Sequence, residues 1–139
     1  MDDQLPVLSI CMTCRDGRED QKGTRGGTRL AHRVSACMAN QATPQMHIRG
    51  VQCMSQCKRS CIVSLSAHAQ FTYIFGDLDP ENGGHVDALF DLVSSYRQAA
   101  EGFLERKDRP KALQANILGR LPPLDSRSQL ISSIEMVES

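Results

Sequence analysis

A Cys-x-x-Cys pair, Cys11 and Cys14, and three cysteines at every fourth position, Cys53, Cys57 and Cys61, carry the chemistry legible in this chain. Thiolates are soft donors. Four of them, held at short spacings, suit an iron–sulfur cluster or a tetrahedral zinc ion. Spacings of two and three intervening residues let one loop supply two ligands with little order lost on binding. Each group lies beside a short apolar run, so a compact sheet would gather strand ends that are distant in sequence. The expected site is sulfur-ligated, with its four ligands drawn from these five thiols.

Two other uses of the thiols compete. Zinc ribbons pair two Cys-x2-Cys knuckles, a template that Cys-x3-Cys-x3-Cys matches poorly. A Cys-x-x-Cys dithiol can act as an oxidoreductase when a helix N-terminus lowers the pKa of its first thiol. The glycine-rich stretch after Cys14 argues against such a helix. Cys37 falls on an apolar helical stripe and reads as a core residue. The histidines His32, His47, His68 and His85 show no metal-motif spacing, and His47 and His68 are expected on solvent faces. Met12 and Met54 stand beside cysteines, where they could shield a cluster or simply pack. Arg15, Arg49, Lys58 and Arg59 lie near the sulfurs and together would offset thiolate charge, although any single one of them reads more readily as part of a solvated loop face. Gly26-Gly27 before a helix could cradle an anion, but no P-loop or dinucleotide fingerprint accompanies it.

Composition narrows the classes. At 139 residues the chain is expected to form one domain with its own core. Lys plus Arg and Asp plus Glu both number 16, for a formal net charge of zero. No global field therefore recruits nucleic acid or an anionic membrane. Aromatics make up 4% with no Trp, which disfavours a base-stacking platform. The acidic N-terminus lacks the basic and apolar regions of a signal peptide, and no apolar run approaches the length of a membrane span. The expectation is a cytoplasmic protein, where grouped cysteines are ligands or redox groups more often than disulfides.

The elements that would position the thiols follow in order. Val7 to Cys11 reads as a buried strand, and residues 15–27, polar with four glycines, as a flexible loop. From Thr28, Leu30, Val34, Cys37 and Met38 recur at helical spacing, ending at Asn40 and the Thr43-Pro44 step. Alternating runs predict strands at Met46–Val51, Cys61–Ser66 and Phe71–Gly76, the last two as a hairpin. Asp79 to Gly84 is a turn. Val86, Leu89, Phe90, Val93, Tyr96, Ala100 and Phe103 then mark the strongest helix. Ala112 to Leu118 reads as a short amphipathic piece closed by Pro122-Pro123, and residues 125–139 as a frayed tail or weak helix. A helix-containing crossover followed by a hairpin predicts a mixed four-stranded sheet with helices packed on it.

Cys53-Met-Ser-Gln-Cys57 ahead of an apolar strand, the aromatic strand Phe71-Thr-Tyr-Ile-Phe75 and the long helix after it resemble the thioredoxin-like [2Fe-2S] ferredoxins. Cys11-Met-Thr-Cys-Arg15, Cys53 through Cys61, Phe71 through Leu78 and Gly119-Arg-Leu-Pro-Pro123 are similar to a bacterial family described as predicted metal-binding (domain of unknown function 1636). The resemblance implies a thioredoxin-like α/β domain over residues 1–123 with a C-terminal tail, 124–139. It implies a [2Fe-2S] cluster on Cys11, Cys14, Cys53 and Cys57, used for electron transfer or redox sensing, with an unnamed redox partner and pairing as a homodimer permitted. Two departures keep Cys61 in the ligand question. The ferredoxins place their second ligand well into the long loop, and they follow Cys-x3-Cys with Gly-Pro where this chain has Ser60-Cys61. That proline matches the one facing the Cys-x-x-Cys of thioredoxins, so the alignment implies that Cys61 points at Cys11 and Cys14. No Ser-His-Asp constellation or carboxylate pair offers a competing active site.

Overall fold

A computed structural model describes residues 5–134 of the chain; the side chain of Cys57 lies outside that description, as do the last residues of the predicted tail, 135–139. Five strands form one mixed sheet: β1 (Val7–Cys11), β2 (His47–Val51), β3 (Val63–Ser66), β4 (Thr72–Phe75) and β5 (Ile117–Leu121). They lie in the order β2-β1-β3-β4-β5. β1 and β2 are parallel, and the other neighbours are antiparallel. The helices are α1 (Glu19–Lys22), α2 (Gly26–Ala39) and α3 (Gly83–Gln98).

Register explains where the core sits. Leu8 stands opposite Leu65, and Ile10 opposite Val63; Leu65 and Val63 in turn oppose Tyr73 and Phe75. Alternation puts all six on one face, and each is fully buried. Leu30 and Val34 of α2, with Val86, Leu89, Leu92, Val93 and Tyr96 of α3, complete a single apolar cluster with them. Cys37 packs half-buried against that cluster, as its stripe predicted. The opposite sheet face is more polar: Arg49 Nε donates to the buried Ser9 Oγ at 2.7 Å, while His47 and His68 are exposed. Among the described residues no helix is long and apolar enough to cross a membrane.

Four expectations need correction. The sheet has a fifth strand, because Ile117–Leu121 pairs antiparallel with β4 instead of continuing an amphipathic piece. Only the start of that piece is helical, as the end of a 3-10 turn over Lys111–Leu113. β5 is a short edge strand containing a glycine, and its pairing is backbone-driven, which leaves little side-chain signature.

α3 ends at Gln98, short of Phe103. Glu101 and Gly102 adopt positive φ (55° and 66°) and swing the chain back across the sheet. There the Phe71 N–H donates to Glu101 O at 2.7 Å, and the Leu104 N–H to the Tyr73 hydroxyl at 2.6 Å. Phe103 meets Phe71 edge-on at 5.4 Å, with the Arg120 guanidinium 4.4 Å from the Phe103 ring centre. Aromatic packing and a buried hydroxyl therefore outweigh helical periodicity here.

The remaining two corrections concern residues 15–27, which form an ordered structure, and the start of α2 at Gly26, two residues before the predicted one. Both bear directly on the thiols.

Candidate metal centre

Topology brings the cysteines together. β2 runs parallel to β1 and ends beside it, with Val51 opposite Cys11. β3 runs antiparallel and enters from that same end, with Val63 opposite Ile10. The loop between β2 and β3 therefore starts and finishes next to the end of β1, and it carries Cys53, Cys57 and Cys61. Backbone bonds fix the junction: Cys11 N–H to Ile62 O at 3.0 Å, and Met12 N–H to Val51 O at 2.8 Å.

The Cys11–Cys14 segment is clamped from both sides. Thr13 Oγ1 donates to Gln52 O and lies 3.7 Å from Cys11 Sγ. On the other side α2 starts flush against the segment: Gly27 N–H donates to Cys14 O at 3.0 Å, and Thr28 Oγ1 to Met12 O at 2.9 Å. A Cβ on Gly27 would overlap the Cys11 carbonyl oxygen, and one on Gly26 would stand 2.9 Å from the Asp16 side chain. The double glycine thus serves close approach of a helix end to the cysteine segment, not flexibility. No helix turn follows the Cys-x-x-Cys pair directly, as expected, but the N-terminus of α2 packs against it from farther along the chain.

Glu19 and Arg29 order the intervening stretch. The Glu19 carboxylate accepts the N–H groups of Asp16, Gly17 and Gly26 at 3.0, 3.1 and 3.1 Å. Arg29 bridges Asp16 and Glu81, and Arg18 reaches Asp79 at 2.6 Å. These bonds tie the loop to the turn before α3. Burial alone would raise the Asp16 pKa, but the Arg29 bond and the Arg18 backbone N–H lower it. Composition marked this stretch only as polar. No local signal could have matched Glu19 to backbone groups or Arg18 to Asp79.

Cys11 and Cys14, both buried, and the exposed Cys53 line one cavity of about 250 Å³, with Thr13, Arg15, Arg25, Ser55 and Gln56. Two larger depressions, of about 550 and 680 Å³, lie around Leu5 and His47 and contain no cysteine. Burial opposes ionisation of Cys11. Hydrogen bonds from the Cys14 thiol, the Met54 backbone N–H, and the hydroxyl and backbone of Thr13 outweigh it and hold the pKa below the ordinary cysteine value. Ser55, at φ 59°, turns its N–H onto Cys53 Sγ at 3.4 Å. Cys57 opens a 3-10 turn, Cys57–Arg59.

Cys61 is fully buried and does not line the cavity. Burial pushes its thiol up to about 12, and the neighbouring charges of Cys14, Asp16 and Cys11 add to the effect. It joins the turn after β4 through Cys61 N–H to Leu78 O at 3.2 Å, and its peptide bond with Ser60 is cis. Arg59 is engaged by Asp77 at 2.7 Å, while Lys58 is exposed. Arg49 lies on the sheet face and contributes nothing to the cavity lining. Among the described residues, no three His, Cys, Asp or Glu side chains converge on one point as a single ion requires.

Comparison with solved structures gives a thioredoxin-like [2Fe-2S] ferredoxin from Aquifex aeolicus, with a TM-score of 0.53 and 12% identity over 88% of this chain and 99% of that one. At that identity the likeness establishes the fold, which is thioredoxin-like as the resemblance implied. No curated protein matches the chain. A family profile described as "Protein of unknown function (DUF1636)" matches residues 8–123, nearly the whole of the sheet and its helices. The chain therefore belongs to the DUF1636 family.

Proposed function

We propose that this chain is a thiolate-ligated metal protein in which Cys11, Cys14, Cys53 and Cys57 hold a [2Fe-2S] cluster for one-electron transfer or redox sensing. The observation that carries the reading is the common cavity of Cys11, Cys14 and Cys53, residues from two loops far apart in sequence. The donor set fits such a group. Cys11 and Cys14 pair through a hydrogen bond, and backbone N–H groups of Met54 and Ser55 address Cys11 and Cys53. N–H groups aimed at sulfur disperse thiolate charge and raise a cluster's reduction potential. When bound, the cluster would supply the one-electron couple. The chain's part is to hold it, exclude water on the buried side and set its electrostatics. Cys61, outside the cavity lining, is the fifth thiol and not a ligand in this reading.

A zinc site is the alternative: four thiolates around one point would hold the ion. A dithiol–disulfide couple is favoured by one observation, the Cys14 hydrogen bond that helps lower the Cys11 pKa.

Iron, sulfide and zinc analysis of anaerobically purified protein, with its visible spectrum, separates the three. Brown protein with equal iron and sulfide is expected. Colourless protein with about one zinc per chain would replace the cluster by zinc, and metal-free protein cycling between dithiol and disulfide would leave the redox couple. Cys53→Ser or Cys57→Ser should abolish the cluster, and Cys37→Ser should retain it. Cys14→Ser should lose it while Cys61→Ser keeps it.

A further inference from the structure

The sheet face opposite the core carries a concentration of basic groups remote from the thiols. Both long helices pack on the other face, so this one has no helical cover among the described residues. Alternation sets His47 and Arg49 of β2 on it, beside Val7 and Ser9 of β1. Ser66 of β3 stands across Val7 from His47. A tight turn over residues 67–70, closed by the Gln70 N–H on Ala67 O at 3.3 Å, brings His68 to the same edge. Together with Leu5 these residues surround a depression of about 550 Å³, a size that suits a small molecule. Val7 opens the strand that Cys11 closes. Roughly 13 Å of strand therefore separates the depression from the thiols, and a cluster there leaves it free.

The polar lining is one-sided: His47, Arg49, Ser66 and His68, with no acidic side chain. Neither histidine nor Arg49 has a carboxylate partner among the described residues. Arg49 Nε is committed to the buried Ser9 Oγ at 2.7 Å. That bond fixes the guanidinium, while its two Nη groups have no hydrogen-bond partner among the described residues. A merely solvated arginine requires no buried hydroxyl to hold it in place. We propose that this depression binds a small phosphate monoester, its phosphoryl oxygens on Arg49, His47 and His68 and its organic part over Val7 and Leu5. A phosphate monoester carries roughly −1.5 to −2 charges near pH 7 and three acceptor oxygens, enough to engage a guanidinium and two imidazoles together. A carboxylate offers less charge and only two oxygens. With Nε taken by Ser9, end-on pairing through both Nη groups is the arginine fork left open. Leu5, Val7 and Ala67 supply apolar surface that inorganic phosphate would leave unused.

The test uses full-length protein as purified, with whatever metal it holds, titrated with phenyl phosphate. Calorimetry and the imidazole C–H signals in NMR follow binding. A saturable Kd on the order of 1 mM or below is expected. His47 and His68 should shift, and His85, whose Nδ1 accepts the Asp79 N–H, should not. Inorganic phosphate and benzoate should each bind about tenfold more weakly or worse, and phenol not at all. Arg49→Gln should weaken binding about tenfold or more. Because that change strands the Ser9 hydroxyl, His68→Gln in the exposed turn gives a second reading, with a loss of about threefold or more. Arg97→Gln, in the neighbouring depression, should retain binding, and thermal unfolding checks the fold of each variant. No binding at tens of millimolar, benzoate or inorganic phosphate binding as tightly, an unchanged Kd in both variants, or shifts at His32 instead would each overturn the proposal. So would a Kd about tenfold tighter in Asp2→Asn/Asp3→Asn, since the chain's own acids would then be the occupants.

Discussion

Replacing Gly27 by alanine tests how the cysteine segment is held. The added Cβ would overlap the Cys11 carbonyl oxygen and stand 3.0 and 3.3 Å from the carbonyl carbons of Cys11 and Met12. All three neighbours are backbone, so no side chain can swing aside, and Gly27 has no positive φ to add strain. The N-terminus of α2 would have to retreat from the end of β1. That retreat stretches the Gly27 N–H bond to Cys14 O and the Thr28 bond to Met12 O. Overpacking costs roughly 1–3 kcal/mol and two weakened hydrogen bonds roughly 1 kcal/mol each, against about 1 kcal/mol of helix propensity gained. The net loss is about 2–4 kcal/mol. At roughly 2.1 cal/mol/K per residue over 139 residues, each kcal/mol lowers Tm by about 3 °C, so calorimetry should record a fall of about 7–13 °C. Gly83→Ala, at the first residue of α3 with nothing within 4 Å of its Cβ, is the matched control and should be neutral or stabilising by about 0.5–1 kcal/mol. A Gly27→Ala protein within about 0.5 kcal/mol of the parent would refute the close-approach argument.

Three further outcomes follow from particular bonds. Tyr73→Phe removes the acceptor of the Leu104 N–H deep in the core, and urea unfolding should show a loss of about 1–3 kcal/mol; a loss below about 0.5 would mean that the amide finds another partner. The hydrogen bonds from Arg18 hold the Asp79 carboxyl at about 2 in the folded protein, below its ordinary value near 4. Its contribution to stability is therefore present above about pH 4 and lost as pH falls toward 2. The stability difference between parent and Asp79→Asn should be flat at neutral pH and vanish near pH 2, and a gap that widens on acidification would contradict the sign. It should be modest and salt-sensitive, since both partners are about a third exposed. Glu19→Ala frees the amides of Asp16, Gly17 and Gly26; hydrogen exchange at those three should speed up roughly fivefold or more while β1 amides keep their protection, and unchanged exchange would show the loop ordered by other means.

Strand alternation at residues 7–11, 47–51, 63–66 and 72–75, and the stripe of Val86, Leu89, Val93 and Tyr96, were all readable from the residues, because periodicity records which side faces a core. Edges were less readable. The end of α3 depends on what Tyr73 and Phe71 need from residues 101–104, and β5 exists because β4 offers it an unpaired edge. The order in residues 15–27 depends on partners as much as 61 positions away, as for Arg18 and Asp79.

The sequence by itself determined that this protein would be an α/β sheet with its thiols at strand ends, since spacing and alternation are local properties of a chain. Only the tertiary structure decided that Cys11, Cys14 and Cys53 share a cavity, with Arg15 and Arg25 in its lining, while Cys61 sits buried outside it. Strand direction is the physical reason. A parallel β2 and an antiparallel β3 open at the same end of β1, and that choice is made by packing across the whole sheet, where no window of sequence records it.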